Sequence, residues 1–115
     1  DEQDFHHLLS ISGYHRIKDQ TAYPAVLLTT GINDPRVDPW QMNKMTARLQ
    51  AATASGKPVL LRVDYDAGHG GIGATRTQHT NLLTDQYSFL LWQLGDPEFQ
   101  EPSGGSSGTK TSGEN

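Results

Sequence analysis

Pro24-Ala25-Val26-Leu27-Leu28-Thr29-Thr30-Gly31 is the stretch whose reading decides the fold. Between the proline and the glycine, apolar and β-branched residues run on without alternation. Such a run suits a parallel strand covered on both faces better than a half-exposed antiparallel one. Val59-Leu60-Leu61-Arg62-Val63 reads as a second strand, leading into Asp64-Tyr65-Asp66 and a loop over Ala67–Gly73. The segment between the two strands carries helix signals. Asp38 is a good N-cap, Pro39 suits the first helical position, and Gln41 completes an Asp-x-x-Gln capping box. Met42, Met45, Leu49 and Ala52 follow at three- and four-residue spacing, and Gly56 and Pro58 are expected to stop the helix. A last helix is predicted over Gln78–Leu94. Leu83, Tyr87, Leu90, Leu91 and Leu94 form its expected buried face, Phe89 and Trp92 flank it, and Gly95 and Pro97 end it.

The order strand, helix, strand, helix is a βαβα arrangement, which implies a right-handed crossover in a parallel sheet. Two strands make a poor open sheet, because their edges expose unpaired backbone groups. The fold class expected is therefore α/β, with the chain forming part of a larger domain. Residues 1–20 lack clear periodicity and read as a loop or weak helix. After Gln100 the composition collapses to Gly, Ser, Thr and a few charges. Residues 1–100 are thus expected to fold and residues 101–115 to form a disordered Gly/Ser-rich tail.

Composition narrows the function. The chain has 115 residues, 34% of them hydrophobic, with nine basic and thirteen acidic side chains and a formal charge of -4. The basic residues are scattered, so no concentrated stripe argues for nucleic acid. No run of 18 apolar residues and no signal-peptide pattern is present, so no membrane partner is expected. The chain reads as soluble, with nothing to choose between cytoplasm and periplasm. The absence of cysteine removes disulfides, thiolate chemistry and Cys-based zinc sites together.

Active groups of open α/β sheets gather in loops beyond the carboxyl ends of the strands. Two motifs occupy those places: Asn33-Asp34-Pro35-Arg36-Val37-Asp38-Pro39 after the first strand, and Ala67-Gly68-His69-Gly70 after the second. Together they look like the acid and histidine of a hydrolase triad. In such a triad a carboxylate fixes the imidazole tautomer, and the other ring nitrogen takes the serine proton. No serine stands at a strand-to-helix elbow, so the nucleophile would lie upstream. That matches the Ser, Asp, His chain order of α/β-hydrolases. The residues alone leave other readings open. Asp-Pro pairs are common turn formers, and Gly-His-Gly is compatible with a plain flexible loop. Arg36 could hydrogen-bond a substrate carbonyl or carboxylate, or form a surface ion pair with Asp38. His6, His7 and Asp4 have no recognised zinc spacing, and an Asp64, Asp66 and His69 cluster lacks calcium-loop spacing. Trp40 and Trp92 read as packing residues. The loop glycines precede no Lys-Ser/Thr pair, so phosphate cradling is not expected.

From about Ile11 to Gly95 the chain resembles the C-terminal end of the catalytic domain of prolyl oligopeptidases, a family of serine peptidases. The resemblance is carried by Tyr23-Pro24-Ala25-Val26-Leu27-Leu28-Thr29-Thr30-Gly31, by Asn33-Asp34-Pro35-Arg36-Val37 with Pro39, and by Ala67-Gly68-His69-Gly70. Tyr87-Ser88-Phe89-Leu90-Leu91-Trp92-Gln93-Leu94 also resembles the family's closing helix. By resemblance, Asp34 matches the triad aspartate and His69 the triad histidine. Arg36 matches the arginine that hydrogen-bonds a carbonyl of the bound peptide. Pro35 stands where many members carry a second acidic residue.

The resemblance implies a C-terminal βαβα portion of an α/β-hydrolase sheet, within an enzyme capped by a β-propeller. It implies cleavage of short, proline-containing peptides after an internal proline. The partners expected are that substrate, the missing N-terminal hydrolase portion and the propeller; no cofactor and no metal is called for. The isolated chain, without its serine, is expected to be inactive. Two alternatives stand beside this reading: another α/β-hydrolase, such as an acylaminoacyl-type peptidase or an esterase, and a non-catalytic interaction module.

Overall fold

The computed structural model describes residues 1–101, so the tail expected to be disordered lies almost wholly outside the described residues. Helix α1 spans Glu2–Ile11 and α2 Gly13–Arg16; strand β1 spans Val26–Gly31, helix α3 Pro39–Ala52, strand β2 Val59–Asp64 and helix α4 Arg76–Leu94. Single 3₁₀ turns lie at His69–Gly71 and Pro97–Phe99.

The two strands pair in parallel, in register from Val26 opposite Val59 to Gly31 opposite Asp64. Successive side chains of a strand point to opposite faces. Val26, Leu28 and Val59 therefore share one face, and they pack with Ile17, Leu49 and Ala52 of the core. Leu49 is 6% exposed and Ala52 fully buried, so the stripe expected on α3 faces the sheet as its spacing requires. Burying a leucine of this kind contributes about 1.5–3 kcal/mol. Leu27, Leu60 and Arg62 belong to the opposite face. There they line a groove with Asp85, Phe89 and Trp92 of α4, so the two long helices lie on opposite sides of the sheet.

Of the loop or weak helix expected over residues 1–20, helix forms over most of the first sixteen, where the Asp1 carboxylate accepts the Asp4 N–H at 2.8 Å and caps α1. Other local expectations need correction. Asp38 does precede α3, but the capping box with Gln41 is not made; the Asp38 carbonyl takes the Gln41 N–H instead, at 3.0 Å. Helix α3 stops before Gly56 and Pro58. Thr53 bridges to Thr21, and the Ala54 N–H bonds the Thr21 carbonyl at 2.9 Å, drawing the chain out of the helix. Trp40 is 54% exposed beside Lys44 rather than packed. The strands are not covered on both faces: Thr29 is exposed and Leu60 is 43% exposed.

The largest departure concerns α4. It begins at Arg76, where Thr75 and Gln78 form a complete capping box. Most of its expected buried face is open, with Tyr87 60%, Leu90 49% and Leu94 81% exposed, while Leu91 is half-buried. Polar links tie its inner side to the sheet: Arg62 Nε donates to Asp85 Oδ2 at 2.6 Å, and Gln78 Nε2 to Asp66 Oδ2 at 2.8 Å.

Candidate functional site

Both strands deliver their following loops to the same end of the sheet, as parallel pairing demands. After β1, Ile32 and Asn33 lead to Asp34. One oxygen of the Asp34 carboxylate folds the loop back on itself, accepting the Arg36 N–H at 2.8 Å and the Val37 N–H at 2.9 Å. This is an Asx-type turn, for which a short carboxylate side chain is well suited. The turn leaves Oδ2 free to point away from its own loop.

After β2 the chain makes the same kind of turn at Asp64, whose Oδ1 accepts from Asp66 N at 3.1 Å and Ala67 N at 2.9 Å. Ala67 is then buried, at 2% exposure, against the end of β1. Its carbonyl accepts the Asn33 N–H at 3.2 Å. The Asn33 amide reaches the Asp66 carbonyl at 3.3 Å, so the two loops are joined through both the backbone and the side chain of Asn33. Gly31 makes this approach possible: a Cβ there would lie 2.3 Å from the Ala67 oxygen. The next glycines serve a different purpose. Gly70, Gly71 and Gly73 have φ of 60°, 86° and 85°, in the left-handed region that other residues avoid.

These two constructions bring together side chains 35 positions apart. His69 Nδ1 lies 2.9 Å from Asp34 Oδ2, with the Asp34 side chain 8% exposed and that of His69 39% exposed. Burial disfavours the charged form of Asp34. The N–H groups of Val37 and Arg36 and the His69 ring act the other way and prevail, holding the carboxyl below its ordinary value of 3.8. An ionised carboxylate only accepts. Nδ1 therefore carries the hydrogen of this bond, which leaves Nε2 of a neutral ring as a proton acceptor.

Asp34 and His69 open onto a cleft of about 230 Å³, which Val37, Met42, Gly68 and His79 also line. Arg36 stands two residues along on the exposed side of the acid loop, and among the described residues it enters no ion pair with Asp38 or any other group. No three potential metal ligands gather among the described residues. Asp64, Asp66 and His69 do not converge; each is engaged with a different partner. Among those residues no helix is long and apolar enough to cross a membrane. Asn33 and the Gly31 approach carry no signal in a linear reading, because each acts on the other loop across the sheet; Asp64 is readable as a turn former, but its place in the site is not. The letters Gly-x-Ser-x-Gly do occur once, at Gly104-Gly105-Ser106-Ser107-Gly108. They sit in the Gly/Ser tail, outside the described residues, and the sequence puts no apolar run before them of the kind that precedes a nucleophile elbow.

Comparison with known proteins shows what the chain is similar to. A model of the prolyl oligopeptidase family matches residues 1–97. A prolyl endopeptidase of Elizabethkingia miricola is 38% identical over 79% of this chain and 13% of its own length. Protease 2 of Moraxella lacunata is 33% identical over 82% of the chain, again covering 13% of the relative. A solved structure from a study of two prolyl endopeptidases superposes with a TM-score of 0.76 at 34% identity, over 83% of this chain and 14% of that one. The chain thus spans about an eighth of the length of the relatives it matches.

Proposed function

The chain belongs to the prolyl oligopeptidase family, whose members are peptidases, and from that membership we propose that Asp34 and His69 are the acid and base of a serine-peptidase triad. The observation that carries the reading is the 2.9 Å contact between Oδ2 and Nδ1, made by loops from neighbouring parallel strands. In the complete enzyme the serine comes from outside the described residues. His69 Nε2 removes its proton as the oxygen attacks the peptide carbonyl, and Asp34 stabilises the resulting imidazolium. The same nitrogen then returns the proton to the departing amine, and water repeats the cycle on the acyl-enzyme.

Arg36 is the proposed contact to the substrate backbone, as a guanidinium free to donate to a carbonyl. Short peptides cut after an internal proline are the proposed substrates. The relatives' names support a peptide substrate in general, since they include both a prolyl endopeptidase and a Protease 2. The 115-residue chain alone is expected to have no peptidase activity, for want of the nucleophile.

The test uses a proline-containing reporter peptide with the complete enzyme and with this chain by itself. The complete enzyme is expected to cleave it, and His69→Ala to abolish cleavage. Turnover by the isolated chain that disappears with His69→Ala would overturn the division of labour proposed here. Arg36→Ala separates a peptidase from an esterase. It should lower peptide hydrolysis by about tenfold or more, as loss of a charged hydrogen bond does, and leave a small aryl ester nearly untouched.

A further inference from the structure

We propose that Asp64 is a positioning residue for His69, acting through the turn that seats Ala67; the proposal rests on the Asp34–His69 reading above. Three observations carry it. The Asp64 carboxylate takes the N–H groups of Asp66 and Ala67, which reverses the chain at the end of β2. Ala67, placed by that turn, is 2% exposed, and its carbonyl is the acceptor for the Asn33 N–H in the acid loop. His69 follows two residues later, on a segment whose Gly70 and Gly71 adopt positive φ. The imidazole is held from both sides: downstream the Gly68 N–H bonds the Ile72 carbonyl at 2.8 Å, and upstream the Asp64 turn seats Ala67 against the acid loop. The second oxygen of Asp64 faces Arg62 at 3.7 Å, and Arg62 is itself bonded to Asp85 of α4. Asp64 thus stands where the histidine loop, the acid loop and the last helix are joined.

Misplacement of a reacting group by about 1 Å costs on the order of a hundredfold in rate. Loss of the turn acts on kcat, because Asp64 touches no substrate. In the complete enzyme, Asp64→Ala is expected to lower kcat about tenfold to a hundredfold, with KM for the reporter peptide within about twofold. Asp64→Asn keeps an oxygen that accepts both N–H groups, and it should restore kcat to within about threefold of the parent. Asp64→Glu keeps the charge but not the short reach of the turn, and should resemble the alanine variant. Should Asp64→Ala not fold, the asparagine and glutamate variants alone decide. Normal kcat per folded molecule in the alanine or glutamate variant overturns the proposal, as does equal loss in asparagine and alanine. Full activity in His69→Ala would instead bring down the triad reading, and this inference with it.

Discussion

At the end of β1, Asp34 folds its loop by accepting the N–H groups two and three residues ahead; at the end of β2, Asp64 does the same to its own loop. The two turns are alike and their remaining oxygens are not. The free oxygen of Asp34 meets the imidazole of His69, and that of Asp64 faces a guanidinium. The acid loop is stiffened by Pro35 and enters α3 through Pro39, whereas the histidine loop is built around glycines with positive φ. The acid loop is thus stiffened by its prolines and the histidine loop by backbone bonds of its own, and the Asn33–Ala67 bond ties the two together. A single local device, an aspartate turn, becomes either chemistry or scaffolding according to what the tertiary fold sets against its second oxygen.

The largest effect is expected from Asp34→Asn in the complete enzyme. Asparagine can keep the turn with its oxygen, but its NH₂ then faces Nδ1 and favours the tautomer with hydrogen on Nε2. That ring cannot accept a serine proton, and kcat should fall about ten-thousandfold, as tautomer errors in a triad do. A loss of less than tenfold would show that the two aspartates differ less than their partners suggest.

Next comes Gly31→Ala, which drives a methyl group against the Ala67 carbonyl, a backbone atom with little freedom to yield. Overpacking of this kind costs about 1–3 kcal/mol, readable as a lower unfolding temperature together with reduced kcat as the loops separate. Gly70→Ala, where a Cβ meets open space and only φ is unfavourable, should cost about 1 kcal/mol by comparison. Equal effects at the two positions would mean that close approach at Gly31 is not what joins the loops.

The mildest test is acid. Asp34 and Asp64 are both held below the ordinary value of 3.8 by the N–H groups they accept. Groups depressed in the folded state contribute stability that is complete above the unfolded value and is lost as pH falls through the folded one. Unfolding temperature should therefore be insensitive to these two groups above about pH 5 and decline below it, and the Asp34→Asn, Asp64→Asn double variant should flatten the decline. An unchanged acid limb in the double variant would separate the turns from stability.

Much of this was legible in the linear order of residues. The unbroken apolar runs marked both strands, which differ from expectation by one residue at their ends, and the Met45, Leu49 and Ala52 spacing found the face of α3 that is buried. The same reasoning failed on α4. Leu83, Tyr87, Leu90 and Leu94 are spaced as a buried stripe, yet they lie open while Phe89 and Trp92 turn toward the sheet. Periodicity reports that a helix has an apolar side, not what stands opposite it; here Phe89 and Trp92 line the groove against the sheet, beside the Arg62–Asp85 link. Local chemistry, meaning strand hydrophobicity, glycine placement and an aspartate and a histidine each just past a strand, was determined by the sequence itself, because it depends only on neighbours along the chain. That Oδ2 of Asp34 and Nδ1 of His69 meet was decided by the parallel register, by the bare Cα of Gly31 and by the two turns, because contact across 35 residues exists only once the strands are paired.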